Sequence, residues 1–332
     1  MNRIVTIIIS GILISDPAIA WAAPSIASVQ AEVDRLRSVA ADKYEQANSV
    51  NIKIKNLLRE MDNLKQEDSF LKEKLKKKNL ALSKIAIERY KGSGFGQTFG
   101  LLFNSDPKEY LSDAATLELI TKNYATQIRN FKIAKQKVQS SELEIADKQK
   151  MLEKQQSALS ADIKAANSAL KKAESLLSSL KAEDRAKLLK NEFNKENEIL
   201  KKSKQFAQTY SADGSRGSIA LKYALEQIGD IYVWAGAGPT KWDCSGLTMR
   251  SYQKAGVSLP HSAAIQFNYG KSISYENVRP GDLLFFGKPI SHVSMYMGKG
   301  LMVQAPRPGK KVEVVKLTRM FGYKPFIGAK RI

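Results

Sequence analysis

Apolar residues recur every three or four positions from Val29 to Ile85, and the positions between them are crowded with Lys, Glu, Asp, Asn and Gln. Only Lys43, Asp68 and Lys78 interrupt this apolar seam. The seam consists of Val29, Val33, Leu36, Ala40, Ala47, Val50, Ile54, Leu57, Met61, Leu64, Leu71, Leu75, Leu82 and Ile85. A heptad rhythm sustained over this length predicts one long helix in a coiled coil.

The rhythm stops at the glycine-rich segment 91–96, because glycine is unfavourable inside a helix. Pro107 then suits the first turn of a new helix, and a second long helical stretch is predicted from about Lys108 to Lys201. Its seam runs through Leu117, Ile120, Tyr124, Phe131, Val138, Leu159, Ile163, Ala166, Leu170, Ala173, Leu177 and Leu180. The two stretches predict an antiparallel coiled-coil hairpin over residues 25–201.

An apolar lobe is predicted at the tip of this hairpin, near residues 92–130. Its apolar residues are Phe95, Phe99, Leu101, Leu102, Phe103, Tyr110 and Leu111. They can pack on one another and close the hairpin, or they can form a docking surface for a partner. The hairpin pattern over residues 25–200 resembles the coiled-coil regions of cell-division wall hydrolases that an FtsEX-type membrane complex recruits. That resemblance implies such a complex as a partner of the tip.

The composition changes after the hairpin. Residues 202–217 lose periodicity and gain Ser, Gly and Asp, which predicts a linker. Helices are predicted at Ser218–Gln227 and Cys244–Ala255. Strands are predicted at Asp282–Phe286, His292–Met297, Leu301–Gln304 and Lys311–Val315. Residues 218–332 should therefore form a compact α+β domain with an antiparallel sheet.

The N-terminal residues predict export. Arg3 precedes an apolar run, Ile4 to Ile14, and small residues follow it. This is the pattern of a secretory signal peptide over residues 1–22, cleaved after Ala20 or Ala22. The run is shorter than the roughly 20 residues that a membrane-spanning helix needs. We therefore expect a secreted, cell-wall-associated protein.

The chain is strongly basic, with 53 Lys and Arg against 33 Asp and Glu and a formal net charge of +20. In an exported protein this charge favours anionic wall polymers or an anionic membrane surface as partners. The sequence contains no nucleic-acid-binding motif, metal-ligand cluster or nucleotide fingerprint, so we expect neither a nucleic-acid partner nor a cofactor.

Cys244 is the only cysteine, so no internal disulfide can form. A lone cysteine is commonly an inert core residue, but an unpaired thiol in an exported protein is also a candidate reactive group. Cys244 lies at the start of a predicted helix, where free backbone N–H groups and the helix dipole favour a thiolate. The same N–H groups could contribute to an oxyanion hole.

The chain has two histidines that could serve as the base. His292 lies on a predicted strand, which gives the rigid positioning that catalysis requires, whereas His261 lies in a loop. Gln304, on the next predicted strand, could orient the imidazole of His292 as the neutral third member does in Cys-His-Asn enzymes. These residues form the candidate catalytic set Cys244, His292 and Gln304.

Residues 218–315 resemble the NlpC-type family of papain-like peptidoglycan endopeptidases. The matching segments, in family order, are residues 227–236, 243–247, 279–286, 291–298 and 302–306. The resemblance implies a papain-like fold, with Cys244 as nucleophile and His292 as general base and then acid. It also implies hydrolysis of the stem-peptide bond after D-γ-glutamate, in wall remodelling or daughter-cell separation.

By position, the resemblance assigns Tyr232, Asp243 and Ser245 to the substrate subsite, where Asp243 could meet a free stem-peptide amine. Tyr232 could instead be a core residue, and Asp243 could simply cap the helix. The sequence does not distinguish diaminopimelate from lysine as the third stem residue.

Three positions depart from the family pattern. Gln304 stands where the family more often has His, His261 where Arg is common, and Ala235 where Gly is usual. Two other functions remain open: a non-catalytic adaptor that binds wall through a peptidase-like domain, and a related amidase or acyltransferase acting on lipid. The sequence also leaves open whether the hairpin blocks the active site.

Overall fold

The computed structural model describes residues 25–91 and 107–332. The predicted signal peptide lies outside the described residues. Most of the predicted tip cluster lies outside them too: Phe95, Phe99, Leu101, Leu102 and Phe103. The side chains of Tyr110 and Leu117 are likewise not described. Among the described residues, no helix carries an apolar stretch long enough to span a bilayer.

Two long helices, α1 (Ile26–Lys91) and α2 (Pro107–Ser179), pack side by side in opposite directions. Near one end, Val33 and Ala40 of α1 are buried against Ala166 and Ala173 of α2. Ion pairs Glu60–Lys148 and Lys72–Glu142 join the helices farther along. The order of these contacts along each helix is reversed, as an antiparallel hairpin requires, so the predicted helical hairpin is confirmed.

The sequence pattern predicts one continuous helix for the second stretch, but the structure has two helices there. The stretch breaks after Ser179, and α3 (Ala182–Gln208) begins after Lys181, which adopts an extended conformation with φ −54° and ψ 147°. Glu183 and Asp184 lie in the first turn of α3, where negative charge favours a helix start. Helix α3 also extends into the predicted linker 202–217, as far as Gln208. Residues 209–215 are the non-helical segment before the next helix, which begins at Arg216.

The C-terminal domain places helices against one antiparallel sheet. Its helices are α4 (Arg216–Glu226), α5 (Cys244–Lys254), α6 (Ala263–Gln266) and a 3-10 turn (Tyr275–Asn277). A small parallel pair contains β1 (Ile231–Tyr232) and β2 (Lys241–Trp242). The remaining strands are β3 (Lys271–Ile273), β4 (Leu283–Phe286), β5 (His292–Gly298), β6 (Leu301–Gln304), β7 (Glu313–Lys316), β8 (Met320–Phe321) and β9 (Lys324–Arg331). The main sheet has the order β3-β9-β4-β5-β6-β7, and β8 pairs with β9.

The core of this domain lies between α4, α5 and the sheet, where Leu221, Leu247, Phe285 and Val293 are fully or almost fully buried. The predicted α+β class is confirmed. The interior strand β9 has no counterpart among the predicted strands, because its sequence contains proline and glycine and has no clear apolar alternation.

Helix α1 packs on both parts of the molecule. Ala40 belongs to the seam between α1 and α2, whereas its neighbour Ala41 is 4% exposed and belongs to the core cluster of the C-terminal domain. The two contacts therefore use different faces of one helix.

Candidate active site

Cys244 is the first residue of α5, and Asp243 caps that helix. One carboxylate oxygen of Asp243, Oδ1, accepts a hydrogen bond from the backbone N–H of Gly246 at 2.7 Å. A Cβ at position 246 would lie 2.1 Å from the carbonyl oxygen of Gly236, so this close approach requires glycine. The sequence thus fixes the thiol at a tightly packed helix N-terminus.

His292 is the first residue of β5 and pairs with Phe286 of β4. Its Nε2 lies 2.8 Å from Oε1 of Gln304 on the neighbouring strand β6. Because an amide oxygen only accepts, Nε2 carries the proton and the neutral ring leaves Nδ1 as the acceptor. The backbone N–H of the next residue, Val293, hydrogen-bonds to the thiol of Cys244. The structure therefore pairs His292 with Gln304 and places the thiol of Cys244 against the residue that follows His292.

Glu313 is a further member of this chain of contacts that the sequence did not reveal. It lies opposite Gln304 in the β6–β7 register, and its Oε1 accepts a hydrogen bond from Nε2 of Gln304 at 3.2 Å. This contact fixes which end of the amide faces His292. The ring of His292 also stacks on Phe321, with centroids 4.3 Å apart and planes 16° from parallel.

The thiol and the imidazole are both held in their neutral forms. Burial raises the pKa of Cys244 well above its usual value, and the charges of Glu45 and Asp243 raise it further. Burial lowers the pKa of His292 to about 3, and the positive charge of Lys324 acts in the same direction. The helix N-terminus, which favours a thiolate, is outweighed here by burial and negative charge.

The predicted substrate residues lie beside the thiol. Asp243 is 1% exposed, and its Oδ1 is 2.7 Å from Nε2 of His261. Burial alone would lower the pKa of His261, but the hydrogen bond and charge of Asp243 outweigh it and raise that pKa. Tyr232 is 7% exposed and belongs to the core cluster, while Ser245 is fully buried. Asp243 is thus both a helix cap and a charged group of the site.

Helix α1 supplies a residue to the site that the sequence gave no reason to expect. Glu45 is 2% exposed, and its Oε2 accepts from the hydroxyl of Ser245 at 2.8 Å and from the thiol of Cys244 at 3.6 Å. Its Oε1 accepts from the backbone N–H of Ala263. Burial, and then the charge of Asp243, raise the pKa of Glu45. In the sequence Glu45 is one of many polar residues on a long helix, and only its contact with a distant domain distinguishes it.

Metal ligation is not indicated in the parts of the chain that the structure describes. No cluster of three or more His, Cys, Asp and Glu side chains there could hold a metal ion.

The fold and the site define a small papain-like α+β domain, in which a cysteine begins a helix packed against an antiparallel sheet. Residues 229–331 match the model of the NlpC/P60 family, and this part of the chain is an NlpC/P60 domain.

Named relatives share this domain. A Mycobacterium tuberculosis protein named "probable endopeptidase" is 40% identical over 112 residues, which cover 34% of this chain and 29% of the relative. The peptidoglycan endopeptidase RipA of the same species is 37% identical over 121 residues, covering 32% of this chain and 25% of RipA. The chain thus spans less than a third of the length of these curated relatives.

Among solved structures, the chain is similar to the NlpC/p60 domain of the peptidoglycan hydrolase SagA. It is 34% identical to this chain and has a TM-score of 0.32, with 35% of this chain and 98% of that chain covered.

Proposed function

We propose that this protein is a secreted peptidoglycan endopeptidase that hydrolyses the bond after D-γ-glutamate in stem peptides. The observation that supports the proposal is the hydrogen bond between His292 and Gln304, with the thiol of Cys244 against the backbone of Val293, inside an NlpC/P60 domain. The names of the relatives, one of them a peptidoglycan endopeptidase, support the same reaction class. The net charge of +20 suits an anionic wall polymer.

In the proposed mechanism, Nδ1 of His292 takes the proton of Cys244 and the resulting thiolate attacks the glutamyl carbonyl carbon. Backbone N–H groups at the start of α5 stabilise the oxyanion of the tetrahedral intermediate. The imidazolium then gives its proton to the leaving amine, and a thioester to the glutamyl group remains. Water, deprotonated by His292, hydrolyses that thioester and regenerates the thiol. Gln304 holds the imidazole orientation through its hydrogen bond to Nε2.

The groups beside the thiol recognise the substrate. We assign Asp243 to the free amine of the stem peptide, because a buried carboxylate is a specific partner for an ammonium group. Tyr232 and Ser245 complete this subsite. The third stem residue is diaminopimelate or lysine.

A biological role follows from the same proposal. We assign the enzyme to wall remodelling or daughter-cell separation, with an FtsEX-type membrane complex as the partner of the hairpin tip. Most of the tip cluster lies outside the described residues, so the test is biochemical. Phe99→Asp and Phe103→Asp should abolish capture of that complex, and undiminished capture would reject this partner.

The decisive experiment is digestion of purified cell wall by the chain from Ser25 onward. Because α1 covers Cys244, the digestion is run in parallel with Ala41→Arg, which forces a long charged side chain between α1 and the domain. We expect fragments ending in D-glutamate, and none after Cys244→Ala is added to the same chain. Wall binding without cleavage by an Ala41→Arg chain whose thiol is accessible would reject the enzyme and favour the adaptor. Release of lipid-derived acyl groups instead of glutamyl fragments would favour the acyltransferase class.

A further inference from the structure

Helix α1 of the same chain covers the active site, where its Glu45 contacts Cys244 and Ser245. Cys244 is 3% exposed and His292 is 1% exposed, so a polymeric substrate cannot reach either group. We propose that α1 is a built-in inhibitor: its segment 41–49 occupies the substrate groove, and the site becomes accessible only when that segment is displaced. The inference rests on the proposed function for the identity of the substrate, but the accessibility of the thiol can be measured without it.

Glu45 is the central contact of the inhibitory segment. Its carboxylate takes hydrogen bonds from Ser245, Ala263 and Cys244, so it occupies the donors next to the nucleophile. A γ-linked glutamyl residue carries a free α-carboxylate, separated from its scissile carbonyl by Cα and two methylene groups. Glu45 therefore fills this space with the same charged group that such a substrate would bring.

The segment also disables the chemistry of the site. The thiol of Cys244 donates to Glu45, and within the described residues no hydrogen bond joins that thiol to His292. The negative charge of Glu45 raises the pKa of the thiol and so opposes the thiolate that the reaction needs. Inhibition is thus both steric and electrostatic.

Polar contacts on either side of Glu45 hold the segment in register. Asn48 donates from Nδ2 to Oδ2 of Asp243 at 3.1 Å, which occupies the carboxylate assigned to the substrate amine. The hydroxyls of Ser49 and Ser262 are 2.6 Å apart. The first contact uses Asp243 of the proposed subsite, and the second uses Ser262, the residue before Ala263, whose N–H binds Glu45. Such contacts are expected of a substrate-like inhibitor.

An aromatic contact, an ion pair and a hydrogen bond also anchor the segment. Trp234 stacks on Tyr44, with centroids 4.7 Å apart and planes 11° from parallel. Asp42 pairs with Lys324, which is 3% exposed, and also accepts from the hydroxyl of Tyr323. Such directional contacts specify one docked position, whereas a chance apposition of two surfaces would lack them.

The docked helix can leave the domain without dismantling the hairpin. Ala40 faces α2 and Ala41 faces the domain, and the two interfaces meet at Tyr44, which stacks on Trp234 and donates to Asn167 of α2. The domain keeps a separate attachment through α3, where the hydroxyl of Ser203 accepts from the backbone N–H of Val314 at 2.9 Å. Displacement of α1 therefore exposes the site while the chain remains folded on both sides.

The presence of a single cysteine gives a direct test. Iodoacetamide is added in excess to the chain from Ser25 onward, and the alkylation rate of Cys244 is followed by mass. Ala41→Arg adds bulk to the docked face, and arginine has nearly the helix propensity of alanine, so α1 itself should be preserved. We expect alkylation to accelerate by about tenfold or more, because the rate follows the population of the open state.

Ala81→Arg is the matched control, since Ala81 is an exposed residue on the same helix. Its alkylation rate should equal that of the unchanged chain. Asp42→Lys is a second test variant that breaks the pairing with Lys324 without adding bulk to the core, and it should also accelerate alkylation. Circular dichroism melts verify that each variant is folded. The inference is overturned if both folded test variants alkylate at the unchanged rate.

The wall-digestion assay separates this inference from the proposed function. Faster alkylation together with faster wall cleavage supports both. Faster alkylation with no cleavage supports the inhibitory helix and rejects the endopeptidase. Unchanged alkylation with measurable cleavage rejects the inhibitory helix and leaves the endopeptidase standing.

Discussion

Trp234 is the aromatic anchor of α1 on the domain, and its truncation should open the active site by a predictable amount. Its ring stacks on Tyr44, and Nε1 donates to the carbonyl oxygen of Tyr44 and to Oδ1 of Asn48, each at 3.1 Å. An aromatic pair contributes about 0.5–1.5 kcal/mol beyond area burial. A hydrogen bond contributes about 0.5–1.5 kcal/mol net.

Trp234→Ala removes both contributions, so the docked state should lose about 1–3 kcal/mol. Since about 1.4 kcal/mol is a factor of ten, the open population should rise roughly 5- to 140-fold. Trp234→Phe keeps the stacking and loses the Nε1–H donor, so the loss should be about 0.5–1.5 kcal/mol. The two variants therefore have an expected order as well as expected sizes.

The assay is again the alkylation rate of Cys244. It is measured at iodoacetamide concentrations at which α1 docks again faster than the thiol reacts. The rates should rank Trp234→Ala above Trp234→Phe above the unchanged chain. Tyr90→Ala is the control, because Tyr90 is an aromatic residue of α1 that is 89% exposed. Equal rates for Trp234→Ala and the unchanged chain, with similar melting temperatures, would refute the assignment of Trp234 as an anchor.

Three further predictions concern the site itself. Glu313→Gln should lower kcat for wall cleavage in the Ala41→Arg background about three- to tenfold with little change in KM, because the amide of Gln304 is then free to turn its donor end toward the imidazole. Glu45→Gln should shift the pH profile of alkylation to lower pH, since removing a negative charge lowers the pKa of the thiol. This shift should be present only above the pKa of Glu45, about 7, because Glu45 carries its charge only there. Gly246→Ala should destabilise the fold by about 2–3 kcal/mol in a denaturant titration, because its Cβ would meet a backbone carbonyl that cannot yield.

Each of these has a result that contradicts it. An unchanged kcat for Glu313→Gln would remove Glu313 from the positioning chain, and restored activity in Glu313→Asp would support it. An alkylation profile unmoved by Glu45→Gln would show that burial and the charge of Asp243 set the pKa of the thiol without Glu45. Gly328→Ala is the control for the glycine, since its nearest neighbour is the Phe267 side chain at 3.1 Å, which can shift. Equal losses of stability would refute the steric reasoning.

Local sequence patterns predicted much of the architecture because each pattern has a local physical cause. The seam residues Val33 and Ala40 are buried between α1 and α2, as a heptad repeat requires. The helix at Cys244 begins where Asp243 can cap it, and the strands at His292 and Leu301 begin at the predicted residues. These features depend on spacing and on short-range hydrogen bonds.

The contacts that the sequence could not reveal are long-range. Glu45 bonds to Cys244 across 199 positions in the chain, and nothing in its neighbourhood separates it from the solvated glutamates of the same helix. The interior position of β9 likewise depends on pairing with β3 and β4, since its own residues include Pro325 and Gly328. The break at Lys181 replaces one long helix by two, although the apolar seam continues to Leu180.

The covalent attachment of α1 to the domain it covers has a consequence for the strength of the contact. The hairpin and α3 hold the segment next to its site, so the segment meets that site at an effective concentration of about a millimolar. A docking contact with an intrinsic dissociation constant of about 10 μM would then be about 99% occupied. The segment therefore needs only modest affinity to keep the site closed. A free peptide copied from residues 41–49 should inhibit an opened chain only weakly, although the same residues in place on the helix close the site almost completely.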